Sequence, residues 1–428
     1  MSKRKQTEKK PLWFSLDNAA KIFPAQNTST WSNSFRVQME LDRKINPAVL
    51  RAALEAVMPR FPSYGVKIRR GFFWFYLEKN ENPLTVHPDI KNPLYRVNFK
   101  ENGRYLFRVY YHGSRIAVDC YHVLTDGHGG AVFLSTLAAE YLRREGEKIP
   151  AGGFSLSPDA PPTPEETEDS FVRSASSEVK KLKKDGISYH VKADPMPDHT
   201  VNVTSGILSF AAFHRLTKEK NVTVTEYLAA LMLSVLLERQ KRDGGRKKQV
   251  AVQIPVDLRR VFGGETLRNF TICMLVKVDP NKGEYSFDEL LELTKYQLRL
   301  QNTMKEHNAS ITANLQIERN PFVRFAPLFL KNFFISIGFA IAAEQTSSAL
   351  ITNLGKVELP EELARHVKKF LFMPAPGKLN PARLGVATVN DSLVITFSNS
   401  FVQSDVERAF FTAFVKQGLH VKIESNRE

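Results

Sequence analysis

The chain has 428 residues, with 60 Lys and Arg against 45 Asp and Glu for a formal net charge of +15, and 43% hydrophobic residues that include 30 Phe. This length suffices for two ordinary domains or one large one, and the composition is that of a soluble globular protein. No stretch reaches the roughly 18 uncharged apolar residues needed to span a bilayer.

MSKRKQTEKK (1–10) is charged and precedes no apolar stretch. It does not read as a secretory signal, and a cytoplasmic location is expected. Cys120 and Cys273 lie in apolar strand-like runs, where reduced core thiols are expected rather than a disulfide framework. The basic excess favours an anionic partner. Its clusters are scattered and no nucleic-acid motif accompanies them, so nucleic acid is not an expected partner.

PAVLRAALEAVMPRFP (47–62) carries Leu50, Leu54, Val57 and Met58 at the spacing of one helical face and stops at Pro59 and Pro62. The runs at 65–79, 104–112 and 114–122 read as antiparallel strands, with GFFWFY (71–76) read as strand residues packed into a core, the alternative being a hydrophobic binding surface. Helical period returns over 127–146. The segment 151–170, rich in Pro, Gly, Ser and acidic residues, reads as a linker or surface loop.

A basic helix (171–184) and a strand (204–213) follow. Then comes an apolar helix (222–240) with Thr223 or Thr225 as candidate N-cap. Further strands are expected at 249–258, 269–279 and 348–357, with a hairpin over 384–401 turned at Asn390–Asp391. GGRKKQ (244–249) lacks phosphate-loop spacing and reads as a surface turn. RNPFVRFAPLFLKNFFISIGFAIAAE (319–344) admits two accounts: a buried helix pair, or an apolar face that rests on a membrane or lines an acyl tunnel. The layout predicts an α/β fold of two subdomains, residues 1–165 and 166–428.

The chemistry concentrates in SRIAVDCYHVLTDGHGG (114–130). Strand alternation puts Cys120 and His122 on one face and Asp119 and Tyr121 on the other. His122 stands at the strand's end, reachable and rigidly held, as a general base must be. A partly buried structural histidine is the plain alternative. A metal site from His122, Asp126 and His128 would need three converging ligands, and no second cluster supports it. Cys120 shares the face of His122, but an apolar strand makes it a core thiol more than a nucleophile.

The spacing His122-x-x-x-Asp126-Gly127 at a strand-to-helix junction resembles the active-site motif of the CoA-dependent acyltransferase superfamily, which includes chloramphenicol acetyltransferase-like enzymes, BAHD acyltransferases, wax ester synthases, alcohol acetyltransferases and condensation domains. Three more segments resemble that superfamily in order: INPAVLRAALEAVMPRFPSYGVKI, IPVDLRRVFGGETLRNFTICMLV and SALITNLGKVELP. Departures are Tyr121 where condensation domains carry a further histidine, Arg268 where glycine is common before Asn269, Thr352 in place of serine, and no D-F-G-W-G motif. These lean toward a free-standing alcohol or lipid acyltransferase.

The resemblance implies two chloramphenicol acetyltransferase-like subdomains with an active-site channel between them. It implies that His122 carries a proton between an alcohol or amine acceptor and the leaving thiol of acyl-CoA, a co-substrate rather than a permanent cofactor. Asp126 would face away from the substrate and pair with Arg259, while Gly127 lets the backbone approach the substrate. Asn353 and Thr352 are the candidates for oxyanion contact, with Asn353 equally suited to cap a turn ahead of Gly355, and His128 is a candidate substrate contact or else faces solvent. A carrier-protein donor, as in condensation enzymes, is the alternative, and a non-catalytic relative is the non-enzyme reading.

Overall fold

A computed structural model describes residues 13–175, 186–339 and 344–427. In chain order its first strands are β1 (Trp13–Ser15), β2 (Ser34–Leu41), β3 (Val66–Arg70), β4 (Phe75–Lys79), β5 (Val86–Pro88), β6 (Phe107–His112) and β7 (Arg115–Tyr121). There follow β8 (Asn202–Ser209), β9 (Val250–Asp257), β10 (Thr271–Val278), β11 (Ala349–Lys356), β12 (Val367–Met373), β13 (Arg383–Val389), β14 (Ser392–Asn399) and β15 (Lys422–Ser425). They form a five-stranded sheet β12–β2–β7–β6–β5, a seven-stranded sheet β10–β9–β11–β13–β14–β8–β15, and a small sheet β1–β4–β3. The fold is a mixed α and β architecture of two layered halves.

In the first half, the Pro47–Val57 helix begins at Asn46, whose side chain accepts from Ala48 N at 3.0 Å, and it buries Leu50, Ala53, Leu54 and Val57. That stripe packs against the Gly127–Arg144 helix, which in turn lies on β2 and β7. The β7 strand is central, flanked by β2 and β6, and its residues 116–121 are buried. The second half is organised around the Val224–Asp243 helix, started by a capping box in which Thr223 and Glu226 bond each other's backbone N–H. Thr223 is therefore the cap, and Thr225 lies within the first turn.

One strand crosses between the halves. Although it lies late in the chain, β12 pairs antiparallel with β2 at the edge of the first sheet while packing on β13 and β14 of the second. It carries Phe372 to the junction, where its ring stands 5.8 Å from that of Phe35.

Several expectations are corrected. The strand expected over 204–213 ends at Ser209, because the Ser209 hydroxyl accepts from Ala212 N and begins the Phe210–Glu219 helix. The segment 151–170 is not merely a linker: Glu166 is buried and ion-paired with Arg60 of the first half. Of the basic helix expected at 171–184, Ser170–Arg173 is helical and residues 176–184 lie outside the described residues.

Phe72 and Phe73 are not core residues. They sit in the β3–β4 turn rather than in a strand and are exposed. The 319–344 segment is not a buried pair; the helices Pro321–Phe325 and Leu328–Phe339 leave Phe322, Phe325, Phe329, Phe333 and Phe334 exposed. Cys120 is buried, but Cys273 faces a cavity instead of the core. The Asn390–Asp391 hairpin turn forms between β13 and β14, with Asn390 at φ 52°.

Candidate active site

His122 follows the last residue of β7. Its backbone N–H donates to Asn33 O at 3.0 Å, and Leu124 N–H closes a turn onto Tyr121 O at 2.9 Å. The buried side chains of Val123 and Leu124 anchor that turn in the core. Asp126 then caps the Gly127–Arg144 helix, accepting from Gly129 N at 3.2 Å. Strand, turn and helix start leave the imidazole little freedom to move. Its ring stacks on Phe23 with centroids 4.9 Å apart and meets Phe35 edge-on at 5.0 Å.

Asn269 fixes which ring nitrogen holds the proton. Its Nδ2 donates to Asp17 Oδ2 at 3.1 Å and to His122 O at 2.9 Å, so its Oδ1 is the end that faces His122 Nδ1 at 3.1 Å. Nδ1 therefore donates to Oδ1, and Nε2 carries the free lone pair. Burial lowers the His122 pKa below its ordinary value, the Asn269 bond and the carboxylates of Asp126 and Asp17 opposing it. The ring is neutral at neutral pH, with the acceptor nitrogen opposite the bonded one.

Asp17 is fully buried and accepts from Ala20 N at 2.7 Å, and burial raises its pKa. Arg268, in the place where glycine is common in the resembling segment, lies 3.5 Å from Asp17 and donates to Ser15 O at 2.7 Å. Neither Asp17 nor the role of Asn269 was drawn from the sequence. Asn269 stands in a segment whose resemblance is to a Gly-Asn pair; for Asp17 the sequence offers no signal.

Asp126 points away from the imidazole into a buried network. It accepts from Arg259 Nη1 at 2.9 Å, Arg259 Nη2 at 3.3 Å and Phe270 N at 2.8 Å. The guanidinium also donates to Thr266 O and Arg268 O, and to Asp257 Oδ1 at 2.8 Å. Burial pushes the Asp126 carboxyl up, Arg259 and the backbone donor pull it down further, and it ends below the ordinary carboxylate range. The pair joins the His122 turn to the second half, after β9.

His122 opens onto a cavity of about 540 Å³ with walls that include Phe23, Phe35, Trp74, Ile272, Cys273 and Phe372. A second cavity of about 450 Å³ holds His128, Phe154, Thr225, Glu226, Arg260 and Arg299 on its walls. Gly127, Pro255, Thr271 and Thr352 line both, so the two adjoin at the junction as a first and a second limb. A Cβ on Gly127 would stand 2.8 Å from both Leu354 Cδ2 and Phe372 Cζ. Glycine is required there by space rather than by an unusual φ.

The remaining predicted residues divide between the limbs. Thr352 lines both, and its hydroxyl makes no hydrogen bond among the described residues. Asn353 lies on the second limb with both ends of its amide engaged: Nδ2 donates to Thr225 Oγ1 at 3.0 Å and Oδ1 accepts from Gly355 N at 2.8 Å, where φ is 76°. His128 is on the second limb too, 3.8 Å from Asp257 and edge-on to Phe154. Burial and then Arg259 lower its pKa.

His122 and His128 thus face different limbs, and no cluster able to hold a metal exists among the described residues. Burial pushes the Cys120 thiol far up, and Tyr121 is buried in the core with its hydroxyl unpaired. Cys273 faces the first limb, its thiol pushed up to about 11 by its enclosure.

The layered halves and the channel between them define a fold shared with the CoA-dependent acyltransferases and condensation domains. The structure of F. graminearum TRI101 complexed with ethyl coenzyme A matches at TM-score 0.63 and 11% identity, over 98% of this chain and 100% of that one. TRI3 trichothecene 15-O-acetyltransferase from Fusarium sporotrichioides matches at TM-score 0.57 and 14% identity, over 95% and 94%. The starter condensation domain of rhizomide synthetase RzmA, in complex with C8-CoA and Leu-SNAC, matches at 0.59 and 11%, over 94% and 93%. Neither a protein-family model nor a curated protein matches the sequence.

Proposed function

We propose that this chain is an acyltransferase that moves an acyl group from acyl-CoA to an alcohol by direct transfer, with His122 as the proton carrier. The observation that carries the reading is the bonding of His122: a neutral ring, Nδ1 tied to Asn269, and Nε2 left as acceptor at a channel wall. That is the arrangement a general base needs.

The acceptor hydroxyl gives its proton to His122 Nε2 as its oxygen bonds to the thioester carbonyl carbon. The carbon–sulfur bond then breaks, and the proton passes from Nε2 to the departing sulfur, leaving an ester and free CoA. Asp126 touches no reacting atom in this scheme; through Arg259 and Phe270 N it positions the turn that holds His122. Gly127 lets Leu354 and Phe372 pack directly on the turn where the limbs adjoin. Of the two oxyanion candidates, Thr352 has the uncommitted hydroxyl, while Asn353 is already bonded at both ends.

The limbs suit two substrates of unlike polarity. On the second limb Arg299 is paired with Glu226 and Asp257 with Arg259, which leaves Arg260, near His128, to favour the phosphate-bearing donor, while the aromatic first limb favours an apolar alcohol. The structural neighbours include proteins complexed with ethyl coenzyme A and with C8-CoA, which supports a CoA thioester as donor.

A donor-by-acceptor screen read by free-thiol release tests the reading. Thiol release from acyl-CoA that requires an added alcohol and matches ester formed is expected. Turnover of a carrier-protein thioester with none of acyl-CoA would replace the donor, and no turnover of either would favour a non-catalytic relative.

A further inference from the structure

The β3–β4 turn and the helices Pro321–Phe325 and Leu328–Phe339 build one aromatic face. Phe322 is 88% exposed and Phe72 73%, and Phe325, Phe329, Phe333 and Phe334 lie between 61% and 66%. At about 200 Å² per ring these six side chains present roughly 800 Å² of aromatic surface, more than the roughly 300–600 Å² largest patch of an ordinary monomer. The parts are held together: Leu328 N–H donates to Phe72 O at 3.0 Å, and the rings of Phe73 and Phe325 are 6.1 Å apart.

A buried lysine makes the face rigid. Lys331 Nζ donates to Phe73 O and Arg324 O, each at 2.9 Å, and sits 3.7 Å over the Trp74 ring. Turn and helices therefore present their phenylalanines as one wedge.

Arg70, Arg319 and Arg324 are exposed within three residues of these phenylalanines, and none has a carboxylate partner among the described residues. The neighbouring carboxylates are already taken: Glu78 pairs with Arg69 and Lys67, and Glu318 pairs with Lys21. Protruding aromatics fringed by unpaired cations, on a chain of formal net charge +15, complement an apolar layer under an anionic surface.

The face is also continuous with the first limb. Trp74, Ile317, Val323 and Ile335 come from the same segments or the adjoining helix and line the cavity that holds His122. A bilayer gives that continuity a use, since an apolar chain can pass from hydrocarbon to limb without crossing water. We propose that this face docks on an anionic lipid bilayer and that the first limb draws its alcohol substrate, an amphiphile, from that bilayer. The second clause rests on the acyl-transfer reading; the docking does not.

The test is co-sedimentation with vesicles of phosphatidylcholine alone and of phosphatidylcholine with phosphatidylglycerol. It compares the parent chain with the double variants Phe322→Asp/Phe329→Asp and Arg319→Gln/Arg324→Gln, all checked for equal melting. The parent is expected to sediment with the anionic vesicles, the phenylalanine variant to lose at least tenfold in bound fraction, and the arginine variant to lose the preference for phosphatidylglycerol. Docking is overturned if the parent stays in solution with both vesicles or if the phenylalanine variant binds as the parent does. It is equally overturned if the parent binds no vesicle but is a dimer that the phenylalanine variant dissociates, or instead binds a purified acidic acyl carrier protein.

Transfer to a short water-soluble alcohol, measured in the same preparations, should be equal in all three. Its absence in the parent would sink the acyl-transfer reading while leaving docking intact. Transfer to a vesicle-embedded long-chain alcohol should fall with vesicle binding; if it does not, the substrate route is wrong.

Discussion

On one side of Gly127 the channel wall is Phe23, Phe35, Trp74 and Phe372 around His122; on the other it is Thr223, Thr225, Glu226, Arg260 and Arg299 around His128. The same turn delivers both histidines, six residues apart, into unlike surroundings. His122 is held by a neutral amide and two rings, and no carboxylate bonds it. His128 stands 3.8 Å from a carboxylate and near two arginines. A base that must accept a proton and give it back is better served by the first setting, where no carboxylate is bonded to the ring and burial outweighs the more distant Asp126 and Asp17.

The sharpest way to break that contrast is to remove each histidine in turn. His122→Ala should lower kcat by about 10²–10⁴-fold with melting close to the parent, as loss of a general base does. His128→Ala should act mainly on KM for the donor. Equal losses in kcat from both would erase the distinction between the limbs.

Next in size is the brace. Asp126→Ala strips the buried Arg259 of one of its two carboxylate partners, leaving Asp257, frees Phe270 N–H and uncaps the following helix. It should cost about 3–5 kcal/mol in urea unfolding. Gly127→Ala places a methyl against Leu354 and Phe372 and should cost about 1–3 kcal/mol. It should also slow transfer by narrowing the join between limbs; a parent-like rate would show that the substrates do not meet there.

Asn269→Leu removes the acceptor that orients the His122 ring and should lower kcat about tenfold, equivalent to roughly 1.4 kcal/mol. Because that bond raises the His122 pKa, the variant's acid limb should move to lower pH.

Much of this arrangement was legible in the sequence because it is local. The turn from His122 to Gly127 sits between a strand and a helix whose periods are plain, and Asn390–Asp391 marks its hairpin. Long-range assembly was not legible. The β12 strand belongs to a sheet begun more than 300 residues earlier, and nothing in Val367–Met373 names β2 as its partner.

Asn269 acts on a histidine 147 residues away, and Asp17 enters the network from a third segment. Alternation suggested a buried GFFWFY, yet Phe72 and Phe73 fall in the turn, where the strand period no longer applies. Cys273 has apolar neighbours in sequence, and only the cavity beside β10 exposes it.

Proton transfer through His122 is read from the pH dependence of kcat/KM in the parent and in His122→Ala. Protonation below its pKa removes the Nε2 lone pair, so the parent's rate should fall as pH falls. The midpoint should lie below the ordinary histidine value of about 6.5, because burial disfavours the imidazolium. This acid limb should vanish in His122→Ala. An acid limb that persists unchanged in the variant would contradict proton transfer through His122.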